Sequence, residues 1–530
     1  MLKIKDIKIK ISPDDPVRSY DYFIDYAVDE INKKYHISKI SDIRIASLNI
    51  DARNTILYYN LSVIIKAENE NKYHHKNIIK YYDDENYLKL KKINKKDYNK
   101  KVVIVGMGPS GLFNAYILAL AGFNVTILER GKMVEERIKD VDNFFNTGIL
   151  NTESNVQFGE GGAGTFSDGK LATGISSPYI RYVLETFHNF GAPLNIIYDA
   201  KPHIGSDKLQ EVMINFRKEL LDLGVNINYE TKFIDFNNHQ VSYIKDNNIS
   251  HIDYDYLVLA VGHSATDVYE LLKTKEVMME PKNFSCGLRI EHHQEDISKW
   301  QYHGIYHNLP SASYKLATHL DDGKSLYSFC MCPGGYVINA SSEDKCLVTN
   351  GMSNKNRDNV NANAALLVNV DVNDYYHGDI LDGIKFQKQL EQKAYNVSSS
   401  YKMPVQLLKD FMNHQKTTAI GQIIPSVKPG YVYAEMDDIL PDFICDTIRK
   451  GIKNFDKNIP GFLCDDAVLT APETRSSSTI TVKRNDDLTA TYPNLYVIGE
   501  GSGYSGGITS SAVDGIKIAL KIIERNEINE

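Results

Sequence analysis

"KVVIVGMGPSGLFNAYILALAGFNVTILERG", Lys101 to Gly131, decides how the rest of this 530-residue chain is read. Val102 to Val105 are four consecutive apolar residues, the mark of a strand buried on both faces. Gly106, Gly108 and Gly111 follow at once with G-x-G-x-x-G spacing. The pattern predicts a helix from Pro109 to Ala121, ended by Gly122. A second strand, "NVTILE", closes on Glu129, 18 residues beyond Gly111. Strand, glycine turn, helix and acid-terminated strand form the βαβ unit that holds a dinucleotide. Gly106 makes the tight turn, Gly108 lets a pyrophosphate approach the backbone, and Gly111 lets helix and strand pack closely. The helix start at Pro109 and Ser110 turns its positive dipole end and free N–H groups toward phosphate. Glu129 accepts hydrogen bonds from ribose hydroxyls, with Arg130 beside it.

The same glycine spacing occurs twice more, in different settings. Gly159, Gly161 and Gly164 lie in "NVQFGEGGAGTFSDGK" (Asn155 to Lys170), with no buried strand before them and no acid-closed strand after. Phe158 and Phe166 flank these glycines and call for burial, which argues against a loose loop. This loop follows the first βαβ unit, a position that in the glutathione-reductase-type flavoproteins, which the segments below resemble, runs along the cofactor; the resemblance implies that Gly161, Gly162 and Gly164 lay backbone against a flat, buried ring. Gly501, Gly503 and Gly506 follow the strand-like "NLYVIGE" (Asn494 to Glu500), and the 30 residues left to Glu530 have room for one helix.

That last segment, "GSGYSGGITSSAVDGIKIAL" after Gly499 and Glu500, resembles the C-terminal FAD segment of glutathione-reductase-type flavoproteins. The resemblance implies that Glu500 faces the ribityl chain and that the helix start at Gly507 and Ile508 faces the flavin. "YDYLVLAVGHS" (Tyr254 to Ser264) resembles the middle motif of the same superfamily, with Gly262 at the turn beside the cofactor. Three motifs in this order favour FAD, held noncovalently, over NAD. Longer phrases narrow the likeness: "KPHIGSDKL" (Lys201 to Leu209), "AVGHSATD", "YSFCMCPGG" (Tyr327 to Gly335), "TNGMS" (Thr349 to Ser353) and "PETRSSS" (Pro472 to Ser478). With the glycine segments they resemble the uncharacterised FAD-dependent dehydrogenases labelled NAD(FAD)-utilising dehydrogenases, over essentially the whole chain. Thr266 stands where that family commonly has Arg. The resemblance implies an FAD domain with an inserted second domain; it supplies no substrate.

The expected fold class is α/β: a Rossmann-like FAD-binding domain of glutathione-reductase type at 101–275 and 461–530. An inserted α+β substrate or cap domain is expected at 276–460, covering the ring. An N-terminal ferredoxin-like α+β module is expected at 1–88. There Leu2 and Ile4, then Ile7, Ile9 and Ile11, alternate with polar residues and slip phase at Asp6, as a bulged strand does. Tyr20, Phe23, Ile24, Ala27 and Ile31 recur at helical spacing. "KLKKINKKDYNKK" (Lys89 to Lys101) is expected to be a solvated basic linker over 89–100.

Composition excludes several classes. With 60 basic and 68 acidic residues the net charge is −8, which weighs against nucleic acid as a partner. The lysine-rich N-terminus has no continuous apolar core, the most apolar stretch is broken by Asn114, Gly122 and Asn124, and six cysteines in so long a chain fit reduced thiols. A cytoplasmic protein without membrane attachment is expected. His263 and Arg475 are the candidate catalytic residues. His263 follows the cofactor turn, and Arg475 stands either to hold a substrate carboxylate or to pair between domains. Cys330 and Cys332, spaced i, i+2 on an expected strand, read as structural or pocket-lining rather than redox, and no metal site is expected. The expected function is an FAD-dependent oxidoreductase, passing a hydride to or from an organic small molecule. NAD(P)H is expected only as a transient reductant, because no second nucleotide-binding unit is found. Alternatives are a flavin monooxygenase, an RNA-modifying or RNA-binding flavoprotein, and a flavin-bound regulator without turnover.

Overall fold

The computed structural model describes residues 1–529. Of the six sheets among the described residues, the five-stranded and the seven-stranded one both line a single cleft, and a four-stranded sheet packs on the seven-stranded one. The first residues form the four-stranded antiparallel sheet Ile40–Asp51, Tyr58–Ala67, Leu2–Lys10, Ile78–Lys80, in that spatial order. The expected phase slip is a bulge between Ile4 and Ile7, with Asp6 at φ 60°. The helix Tyr20–Tyr35 is capped by Ser19, whose side chain accepts from the Tyr22 amide, and buries Phe23, Ala27 and Ile31. The sheet shares one continuous apolar cluster with the larger sheet described below. Leu48 N–H donates to the Tyr198 carbonyl at 2.8 Å, and Asn308 Nδ2 donates to the Ser12 carbonyl at 3.0 Å.

Residues 89–100 are not a solvated tether. Tyr87, Leu90 and Tyr98 are buried in the apolar cluster of the next unit, and Tyr98 stacks on Phe123 at 4.4 Å. The lysines lie outward and pair along the strap: Lys91 with Glu185 at 2.8 Å, Lys100 with Asp255 at 3.0 Å. Aromatic anchors at wide spacing were hidden by the charge run around them.

The βαβ unit forms at the expected residues: strand Lys101–Val105, helix Pro109–Ala121, strand Asn124–Leu128. These strands sit in a five-stranded parallel sheet ordered Leu495–Val497, Tyr256–Leu259, Lys101–Val105, Asn124–Leu128, Asn226–Asn228. The chain thus leaves this sheet and returns to it at the end. The C-terminal helix Ile508–Asn529 crosses Pro109–Ala121 so closely that a Cβ on Gly515 would lie 2.2 Å from the Ser110 carbonyl oxygen.

The second sheet has seven strands, with Phe284–His293 and Asn361–Val370 buried near its centre. Strand Val468–Glu473 is hydrogen-bonded between Phe284–His293 and Met403–Leu407. The sheet therefore runs past the boundary expected at 460. The flavin motifs fall silent before that strand, but its burial along its whole length belongs to this core. A short antiparallel ribbon, Met279–Pro281 with Ile480–Val482, pairs the outgoing and returning chain.

A cleft at the carboxyl ends of the parallel strands

The carboxyl ends of the parallel strands open into a cavity of about 340 Å³, closed on the far side by the second sheet. This is the place where open α/β sheets bind ligands. Gly106, at φ 98°, turns the chain so tightly that a Cβ would lie 2.5 Å from the Ala260 carbonyl oxygen. Gly108 is different: a Cβ there would meet only Gly162 Cα, at 3.9 Å. Its missing side chain leaves space that belongs to the cleft. Gly111 is a packing glycine, its Cβ position 2.2 Å from the Gly106 carbonyl oxygen. Glu129 is buried, and its two carboxylate oxygens accept from the Met107 and Gly131 amides at 2.8 and 2.9 Å. A carboxylate has about four acceptor sites, so capacity remains toward the cleft that Glu129 lines. Arg130 also lines the cleft but is engaged, with Glu153 at 2.7 Å, Asp267 at 3.0 Å and the Phe158 ring below it.

The loop Asn155 to Lys170 is folded around a residue that the sequence reading did not single out. Arg137 is fully buried and donates to the carbonyls of Asn155, Glu160, Gly162 and Val156 at 2.7 to 3.0 Å. Burial pulls its guanidinium down to about 10, with Glu129 and Glu160 opposing. Gly162 and Gly164 line the cleft, whereas Gly161 does not: its Cβ position faces Thr165 Oγ1 at 2.1 Å and Met213. Gly161 is thus corrected from cofactor wall to packing position. Glu160 lies behind the loop, and burial pushes its carboxyl up to about 7 against the pull of Arg217.

From the other parallel strands come Gly262, His263, Gly499 and Glu500. A Cβ on Gly262 would meet nothing within 4 Å, and the same is true of Gly506. Gly499, at φ 73°, is a packing glycine whose Cβ position is 2.3 Å from Ser110 Oγ. His263 Nε2 bonds to the Arg475 carbonyl at 3.1 Å, and Nδ1 lies 3.4 Å from Glu500 Oε2. Gly507, Ile508 and Ser511 bring the start of the C-terminal helix to the same cavity that receives the start of helix Pro109–Ala121. Arg475 lines the cleft, but its guanidinium is spent on Glu391 at 2.8 Å and Glu343 at 3.2 Å. Of the two roles left open for it, the ion pair is the one observed.

The second sheet contributes groups that the motifs did not reveal. Fully buried Arg289 bonds Glu473 through Nε and Nη2 at 2.8 and 3.0 Å, and also Asn363 and Asn350. Lys170 Nζ lies 2.9 Å from Asp168, 3.4 Å from Cys332 Sγ and 3.8 Å from Cys330 Sγ. Burial raises the Asp168 carboxyl, yet Lys170 and Arg357 outweigh it and hold the group well below the usual range. "SDGK" carried this signal, a lysine two residues from an acid inside a glycine loop, but its partners lie 160 residues away.

The arrangement fits an FAD. Open space stands in front of Gly108, Gly262 and Gly506, two helix starts face one cavity, and a buried acid ends the second strand. A family model described as "FAD-dependent protein, C-terminal domain-like" matches residues 283–476. An uncharacterized protein of Clostridium beijerinckii is 41% identical over 514 residues, covering 94% of this chain and 96% of the relative. The chain belongs to one family with that clostridial protein. Among solved structures, the halogenase PltM in complex with phloroglucinol and FAD is 12% identical at TM-score 0.37, covering 82% of this chain and 71% of its own. A flavoprotein/dehydrogenase from Cytophaga hutchinsonii is 12% identical at TM-score 0.36, covering 80% and 79%. Likeness at that level leaves the site to this chain's own residues. The protein is an FAD-dependent flavoprotein.

Proposed function

We propose that the protein is an FAD-dependent oxidoreductase of the glutathione-reductase type, acting on an organic small molecule in the cleft between its two large sheets. One observation carries the reading: the cradle of Gly108, Gly262 and Gly506 opens into the same cavity that the second sheet lines with Phe329, Cys330 and Glu473. Bound in this cradle, FAD supplies two-electron redox chemistry. Gly108 and the first turn of helix Pro109–Ala121 receive the pyrophosphate, and Glu129 takes the ribose hydroxyls. Glu500 and the helix start at Ile508 stand at the flavin end. His263 is fixed by the Arg475 carbonyl, so its Nδ1 is the ring nitrogen able to exchange a proton with Glu500 or a substrate. Arg475 is a positioning residue, holding that carbonyl through Glu391 and Glu343.

The experiment is an anaerobic screen of candidate reductants against the visible absorbance of the purified holoprotein. A dehydrogenase or reductase is expected to bleach with one substrate class and to recover with a different acceptor. A protein that bleaches with none, and reoxidises only at the rate of free flavin, would remove the enzymatic reading.

A further inference from the structure

Cys330 and Cys332 are placed as chemistry rather than as packing. The strand Ser325–Cys332 carries a bulge between Phe329 and Cys332, with Cys330 at φ 42°. A non-glycine residue in that region is uncommon, and bulges re-aim side chains beside active sites. Here the bulge turns Cys330 into the cleft wall while Cys332 stays fully buried. Lys170 reaches both sulfurs, and Arg289 donates to the Cys330 carbonyl at 3.3 Å. The charged groups facing this point are Lys170, Arg289 and Arg357 against Asp168 and Glu473. Asp199 and Lys201 lie within reach of Arg357 as well. His203 adds no charge near neutral pH, because burial lowers it to about 4, and burial lifts the nearby Tyr314 phenol far above neutrality. Lys170, within 4 Å of both sulfurs, stands where it favours a thiolate at Cys330.

We propose that Cys330 is the attacking thiolate, and Cys332 the resolving thiol, of a site that reduces a small disulfide entering the cleft. In the first step the Cys330 sulfur attacks one sulfur of R–S–S–R, forming a Cys330–S–S–R mixed disulfide and releasing R–S⁻. In the second, Cys332 passes its proton to the released thiolate and attacks Cys330 Sγ, expelling the second R–S⁻. Two protein thiols become one disulfide and one substrate disulfide becomes two thiols, so electrons balance without a further reagent. The asymmetry of the pair supports the assignment of roles. The neighbouring Cys332 thiol and the charges of Lys170 and Arg289 draw Cys330 below the usual thiol range despite its burial, while Cys332 Sγ itself donates to the Cys330 carbonyl at 3.2 Å. The same neighbour, with burial, lifts the Cys332 thiol. A nucleophile aimed at carbon has no use for a second thiol under the same lysine.

The test uses the holoprotein. Iodoacetamide at pH 7 is expected to alkylate Cys330 at least about tenfold faster than half-buried Cys464, and Lys170→Met to remove most of that difference. Oxidised glutathione is expected to release two glutathiones per wild-type chain and to leave a Cys330–Cys332 disulfide, mapped by peptide mass. Cys332→Ser should release one and retain glutathione on Cys330. Equal alkylation of Cys330 and Cys464 would overturn the thiolate. Fast alkylation with no glutathione adduct in either protein would overturn the disulfide substrate. Neither step requires the flavin, so failure here leaves the FAD reading standing.

Discussion

Gly108→Val separates a ligand cradle from a packing glycine. The backbone at Gly108 is extended, φ −76° and ψ −179°, which valine adopts readily. Its Cβ would touch only Gly162 Cα at 3.9 Å, so the branch point itself meets no protein atom closely. The cost to the fold is the loss of a good helix N-cap residue, about 1 kcal/mol. The cost to FAD is larger, because the branched side chain fills the approach to the free amides of the first turn. Losing the helix-end interaction and one or two charge-assisted hydrogen bonds amounts to roughly 3 kcal/mol, or on the order of a hundredfold in Kd. Gly111→Ala is the counterpart: its Cβ would lie 2.2 Å from the Gly106 carbonyl oxygen and must displace backbone, so the fold itself should suffer. Flavin content by absorbance and urea unfolding, measured on both variants, give the comparison. A Gly108→Val protein that holds FAD with unchanged affinity would refute the assignment of this turn to the pyrophosphate.

Arg137→Met should leave four loop carbonyls without their donor, destabilise the protein by on the order of 4 kcal/mol and lower FAD occupancy, read by urea unfolding and absorbance. His292 gives a pH signature. Burial lowers it to about 4, its Nε2 bonds the Phe462 carbonyl at 2.8 Å, and its Nδ1 has no partner. The folded state then binds fewer protons than the unfolded state between about pH 6.5 and 4. Stability should fall as pH drops through that window, by about 2.5 pK units or roughly 3 kcal/mol, and His292→Gln should remove that part of the slope. NADH and NADPH should bind the oxidised holoprotein more weakly than micromolar by calorimetry; a tight site abolished by substitutions away from the cleft would show a nucleotide domain that the motifs do not mark.

The parts of the site that are local in sequence were legible. The turn at Gly106, the helix to Ala121 and the acid at Glu129 form one 31-residue unit whose geometry is written in consecutive residues. The bulge at Asp6 was readable for the same reason, since alternation breaks visibly when one residue is inserted. Groups assembled from distant strands were not legible. Arg289 meets Glu473 across 184 residues, and Lys170 meets Cys330 across 160. Nothing in either neighbourhood announces the partner. Arg137 was hidden differently: it sits on the buried face of an amphipathic helix, at a position where a charged residue reads as surface. The strap of residues 89–100 misled through composition, because lysines that lie on a surface and lysines that float free look alike in a string.

The ribbon that pairs Met279–Pro281 with Ile480–Val482 has a consequence for how such proteins diversify. Residues 283–476, the span matched by the family model, begin and end just inside it. Paired antiparallel strands lie about 5 Å apart, so the excursion departs and arrives through a single doorway. Whatever is grafted between those two strands meets the same anchor, whatever its length. Both ends of the cover over the cleft are thus held at one place, so a change of length within that span leaves the parallel sheet's own strand order and register undisturbed.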